Sequence, residues 1–102
     1  MYDLRRSAGD DCLLLFAAWN DLGRTRLGTS VSKKVGNSVV RHHWKRLIRE
    51  AFRLQQHELP IGLDLIVLPR ARSEAIELEA VQASLKALLA RTVRKWPRPG
   101  PP

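Results

Sequence analysis

The sequence predicts an α+β fold, one small sheet packed under two helices. Three observations carry that reading. Residues 12–19 and 62–68 are short apolar runs of strand length, bounded by turn-forming residues. Residues 26–34 alternate, with Leu27, Thr29 and Val31 on one face and Ser30, Ser32 and Lys34 on the other, the period of a strand. Residues 38–56 and the stretch from about 78 to 96 repeat apolar side chains at helical spacing. The order strand, strand, helix, strand, helix puts a strand–helix–strand unit in the middle of the chain.

A chain of 102 residues is one domain, and with 44% hydrophobic residues it can bury a core. That domain is expected to span residues 1–96. Residues 97–102 read Pro-Arg-Pro-Gly-Pro-Pro. They can join neither helix nor sheet and are expected to form a disordered, Pro-rich tail.

The first strand lies between Asp10-Asp11 and the turn-like Asn20-Asp21-Leu22-Gly23. Cys12 begins its apolar run and reads as a small core residue. Only a short turn separates it from the second strand, so the two are expected to pair as a hairpin. The second strand's small, polar face simply meets solvent on the plainest reading. It also leaves an open sheet surface for a ligand.

Gly36-Asn37-Ser38 stops that strand and starts a helix, with Asn37 or Ser38 able to accept from the free N–H groups of the first turn. The helix should run to about Gln56. At about 100° per residue, Val40, Trp44, Leu47, Ile48 and Ala51 share one side. His42, Lys45, Arg46, Arg49 and Arg53 fall opposite, with Arg41 and His43 at the edges. Pro60 and Pro69 bracket the third strand, whose nearly continuous apolar run suits a central strand buried on both faces. In the last helix Leu78, Val81, Leu85, Leu88, Leu89 and Thr92 make the apolar stripe, and Trp96 extends it. Its start falls between Glu74 and Glu79. Acids early and bases late complement its dipole.

The charge is concentrated. Between Arg24 and Arg53 lie nine basic residues and one acid, Glu50. That excess equals the +8 of the whole chain, so the flanking segments cancel. Like charges repel at Lys45/Arg49 and Arg49/Arg53. A polyanion bound to this face supplies the reason for tolerating that repulsion. Exposed Arg, Lys and His, rather than Asn or Gln, favour backbone contact over groove reading.

Catalytic patterns are missing. No carboxylate pair is spaced for acid–base work. His42 and His43 diverge by about 100° on a helix and do not easily meet one phosphate. Cys12 has no base near it in sequence. No metal-ligand spacing and no phosphate loop is present. The longest apolar run is too short to cross a membrane. The charged N-terminus is unlike a signal peptide, and a lone cysteine fits a reducing cytoplasm.

Residues 26–53 carry a long ordered string: Ser-Val-Ser-Lys-Lys, then Gly-Asn-Ser-Val-Val-Arg, then Lys-Arg-x-x-Arg-Glu-Ala-Phe-Arg. This string resembles the signature of the bacterial ribonuclease P protein component. Weaker likeness continues through His57-Glu58-Leu59-Pro60, Asp64-Leu65-Ile66-Val67 and the last helix, covering roughly residues 12–95. The resemblance implies the protein subunit of a ribonucleoprotein endoribonuclease. In that family the RNA subunit hydrolyses precursor tRNA with Mg2+, while the protein binds the catalytic RNA and the 5′ leader. It implies a left-handed β-α-β crossover (ribosomal protein S5 domain 2-like), an exception to the usual hand. The family's N-terminal helix is expected to be missing or shortened here. Implied contacts to the catalytic RNA are Lys33, Lys34, Arg41, His42, His43, Lys45, Arg46, Arg49 and Arg53. His42 and His43 stand where the family has Asn and a basic residue. Implied leader contacts are Phe16, Ser30 and Ser32. No catalytic or metal-binding side chain, membrane or small-molecule substrate is implied. The competing readings are a non-catalytic RNA-binding module, such as a ribosome-associated protein, and a membrane-surface protein using the apolar stripe.

Overall fold

The computed structural model describes residues 6–20, 22–70 and 77–98. Among the described residues, four strands and two long helices form in the order β1 (Ser7–Gly9), β2 (Leu13–Trp19), β3 (Arg26–Thr29), α1 (Ser38–Gln55), β4 (Leu63–Pro69) and α2 (Leu78–Lys95). The sheet order is β1-β2-β4-β3. β2 and β4 run antiparallel from Leu13 opposite Pro69 to Trp19 opposite Leu63. β3 runs parallel to β4, with Leu27 opposite Leu65. The β3–α1–β4 segment is therefore a parallel crossover.

The expected hairpin of β2 with β3 does not form, because β4 inserts between them. β4 carries apolar side chains along nearly its whole length, so it gains more from two flanking strands than the mixed β3 would from pairing with β2. β4 is central, as expected, but only one of its faces is fully buried. Leu63, Leu65 and Val67 point into the core, while Asp64, Ile66 and Leu68 are half-buried on the other face. The second strand is also shorter than its alternation suggested. It ends at Thr29, and Lys33–Val35 form a 3-10 turn. Among the described residues, the segment before β2 is a strand, β1, absent from the sequence reading. Residues 1–5, on which the expectation about an N-terminal helix bears, lie outside the described residues.

Both helices cover one sheet face. Trp44, Ile48 and Ala51 of α1 meet Val81, Leu85, Leu88 and Leu89 of α2 over Leu13, Leu15, Leu65 and Val67. Asn37 caps α1, its Oδ1 accepting from the Val40 N–H at 3.0 Å. Gly36 lets the preceding turn close tightly, since a Cβ there would stand 2.9 Å from Val40. α2 is tied to the sheet at both ends. Near its start, Ser84 donates to Asp10 Oδ2 at 2.6 Å. Past its end, the Trp19 indole N–H donates to the Trp96 carbonyl at 3.0 Å. The Arg98 guanidinium lies 5.7 Å from the Trp19 ring centre, a cation–π distance. From residue 99 onward, the expected tail lies outside the described residues.

Candidate nucleic-acid interface

α1 positions the charged groups. Its buried stripe is Trp44, Ile48, Ala51 and Gln55. That stripe belongs to the core and is not available to a lipid surface, which removes the feature on which the membrane-surface reading rested. With one side fixed against the sheet, helix geometry dictates the rest. Arg41, Lys45, Arg49 and Arg53 follow one another at i,i+4 along a single row, spanning about 18 Å at 1.5 Å per residue. His42 and Arg46 form the neighbouring row. Arg41 and Lys45 are half-buried, whereas His42, His43, Arg46, Arg49 and Arg53 are exposed. His43 lies on the far side of the helix from the Arg41 row, so the two imidazoles diverge as expected.

Arg41 stands out. Its Nε is buried and has no hydrogen-bond partner among the described residues. A buried unsatisfied donor is costly, and the cost is removed when a phosphate or carbonyl oxygen reaches it. At the other end of the row, the one acid is occupied. Glu50 Oε1 accepts from Arg53 Nε at 2.8 Å and also from its Nη2. Lys33 and Lys34 lie exposed on the 3-10 turn that abuts the start of α1. They add charge beside the positive end of the helix dipole.

The second candidate surface is the sheet face turned away from the helices. Strand register sets its rows. Ser7, Phe16, Ile66 and Gly28 lie side by side, and Ala18, Asp64 and Arg26 form the next row. Phe16 is half-buried on this face. Ser30 donates its N–H to the Val67 carbonyl at 3.2 Å and so continues the β3–β4 ladder. Gly28 is thus two strand spacings from Phe16, about 10 Å, and Ser30 lies two residues further along the edge strand, level with Leu68 and Leu14. Ser32 is exposed before the 3-10 turn, and its side chain makes no capping bond. The apolar centre of this face, Leu14, Phe16, Ile66 and Leu68, comes from β2 and β4. The sequence reading had placed the open sheet surface on the small, polar face of the second strand and had taken only Phe16 from the first. The signal was present in the even-numbered residues of β4.

Electrostatics around the site are structural. The Arg26 guanidinium beside Asp64 holds that carboxyl below its ordinary value, and the Asn20 amide adds to this against burial. Burial works against ionisation of Asp10, but Ser84, the Leu13 and Cys12 N–H groups and the Arg91 charge outweigh it and lower its pKa. Burial and the Asp10 charge push the Cys12 thiol up, despite a contact from Ser84. A raised thiol pKa disfavours the thiolate, so Cys12 is a poor nucleophile. Among the described residues, no three His, Cys, Asp or Glu side chains gather as metal ligands. None of the described helices is long and apolar enough to cross a membrane.

An α+β sandwich with one strongly cationic helix face has the character of a nucleic-acid-binding protein. The ribonuclease P family model matches residues 1–93. The chain is 50% identical over 66 residues to the ribonuclease P protein component of Brevibacillus brevis, an alignment covering 65% of this chain and 52% of that one. It is 41% identical over 88 residues to that of Lachnoclostridium phytofermentans, covering 86% and 76%. Its fold is similar to the RNase P protein of Thermotoga maritima, with a TM-score of 0.77, 29% identity, and 83% and 81% of the two chains covered. For the Staphylococcus aureus RNase P protein the TM-score is 0.71 at 32% identity, with 83% and 78% covered. The chain belongs to the ribonuclease P protein family, the protein subunits of a tRNA-processing endoribonuclease.

Proposed function

We propose that α1 binds the catalytic RNA of ribonuclease P and that the open sheet face receives the 5′ leader of precursor tRNA. The protein thereby assists leader removal by the RNA subunit in the bacterial cytoplasm. The observation that carries this reading is the row Arg41, Lys45, Arg49 and Arg53, which begins at a buried guanidinium nitrogen without a partner among the described residues. Along such a row, phosphates replace repulsion with attraction and release condensed counterions.

Leader binding is supported by the exposed or half-buried set Phe16, Ile66, Gly28 and Ser30. An unpaired strand stacks bases on an aromatic ring, and Gly28 leaves room beside Ile66, the ring's neighbour in the row. Magnesium would be held by the RNA. The candidate face is cationic and would repel a divalent ion.

Reconstitution tests the proposal. Purified protein, magnesium and precursor tRNA are combined with and without the catalytic RNA. The protein alone should release no leader, and it should raise the RNA's affinity for the precursor. Cleavage by protein alone that disappears in a His42→Ala/His43→Ala double variant would refute it.

A further inference from the structure

A pocket of about 220 Å³ opens where the end of α1 passes the turn before β3 and the Pro60-Ile61 loop. It lies against α1, away from the open face of the sheet. Phe52 and Gln56 line it from one helix turn, and Arg24, Thr25, Pro60 and Ile61 close it. The volume is below the roughly 300–1,000 Å³ of drug-sized ligand sites, and it suits one small planar group.

The walls are fixed in advance. Thr25 Oγ donates to the Pro60 carbonyl at 2.6 Å and accepts from the Leu63 N–H at 3.3 Å. One hydroxyl therefore clamps the two loops that face each other across the pocket. Phe52 is only partly buried against the core, leaving part of its ring for the pocket. The lip is apolar: Ile61 is 60% exposed and, on the adjoining turn, Leu22 is 51% exposed. Exposed aliphatic side chains beside a strongly cationic helix do nothing for solubility. They suit a ligand with a flat apolar face and a charged backbone.

We infer that this pocket receives a single unpaired nucleobase of the catalytic RNA. The inference deepens the RNA-binding reading above and rests on it. The cationic row leads into the site, since Arg49 precedes Phe52 by one turn and Arg53 follows it directly. An RNA strand held on Lys45 and Arg49 brings its next base over Phe52. The aromatic ring offers a stacking face, and the Gln56 amide offers both a donor and an acceptor to the base edge. Arg24, exposed at the rim, reaches the adjoining phosphate.

The test uses the full chain with catalytic RNA, in Phe52→Leu and Gln56→Ala variants. Leucine keeps apolar volume in the core while removing the aromatic face. Gln56 is exposed, so its truncation leaves the fold intact even where Phe52→Leu lowers the melting temperature. Each variant should weaken binding, Phe52→Leu by about tenfold, at an unchanged salt slope, because stacking and amide contacts release no counterions. A photo-crosslinking residue in place of Ile61 should attach to one unpaired nucleotide of that RNA. Parent-like binding by both variants, or attachment only to base-paired RNA, overturns the inference while leaving the RNA-binding function in place. Weakening confined to precursor tRNA presented to the holoenzyme would move the base to the leader and overturn the assignment to the catalytic RNA. Failure of the parent chain to bind the catalytic RNA would instead remove the broader reading.

Discussion

Arg26 grips Asp64 in a two-pronged ion pair across the β3–β4 ladder, Nε 2.7 Å from Oδ1 and Nη2 2.6 Å from Oδ2. The two residues are directly opposite in register. Asp64 also accepts from the Asn20 amide at 2.8 Å. Edge strand, central strand and the loop after β2 are thus joined at one carboxylate.

The lowered pKa of Asp64 gives this site a pH signature. Its contribution to stability is fully present above the ordinary carboxylate pKa of about 3.9. It is lost as pH falls through the lower folded-state value. The Arg26 side chain is 55% exposed, so the contribution should be modest, about 1 kcal/mol or less. Thermal unfolding from pH 6 to pH 2 should fall less steeply below pH 4 in Asp64→Asn than in the parent. Asp10 titrates in both proteins and cancels in the comparison. Parallel curves would contradict the assignment.

The cationic row predicts a pattern in salt titrations. Arg41→Ala, Lys45→Ala and Arg49→Ala should each weaken binding to the catalytic RNA and lower the salt slope by about one unit or less. Arg53→Ala should cost less, because Glu50 already holds that guanidinium. Equal slopes in all four variants and the parent would exclude phosphate contact along the row.

Gly28 provides a probe of the open face. A Cβ there would meet only ordinary contacts, 3.6 Å from the Leu65 carbonyl oxygen. Gly28→Val should leave the fold intact, since β-branched residues suit strands. The valine would fill the space beside Ile66. Affinity of the holoenzyme for precursor tRNA should fall, while affinity for mature tRNA should not change. An equal loss for both substrates would place the leader elsewhere.

The Asn37 cap should be worth about 1 kcal/mol. Asn37→Ala should lower the urea midpoint of unfolding by that equivalent, with the m-value unchanged. Asn37→Asp should retain most of the stability, because a carboxylate accepts the same bond and favours the helix start.

Both helices were legible because each buries one continuous stripe, and period 3.6 survives in the sequence as Trp44, Ile48 and Ala51 or Val81, Leu85 and Leu88. The cap was legible because Asn37 acts within its own turn. The charged row was legible because a helix converts spacing directly into position. Strand pairing was not, because no local feature distinguishes β2 beside β3 from β2 beside β4. That choice depends on what β4 gains from two neighbours. β1 escaped notice because Ser-Ala-Gly has no alternation to detect. The Arg98 contact with Trp19 joins residues far apart in sequence, and only the fold brings them together. The same holds for the pocket, whose walls come from three separate segments.

The central place of β4 has a consequence for synthesis. The ribosome releases β2, β3 and all of α1 before the strand that pairs with both strands. Until Leu63–Pro69 emerges, β2 has, among the described residues, only the three-residue β1 as a partner, and α1 lacks the central strand of the sheet on which Trp44 is laid. The sheet therefore cannot grow outward from the N-terminus by adding one strand at a time. The nascent chain holds unpaired strand edges and a bare apolar helix stripe, then closes around its late-arriving middle in a single cooperative event governed by long-range contacts.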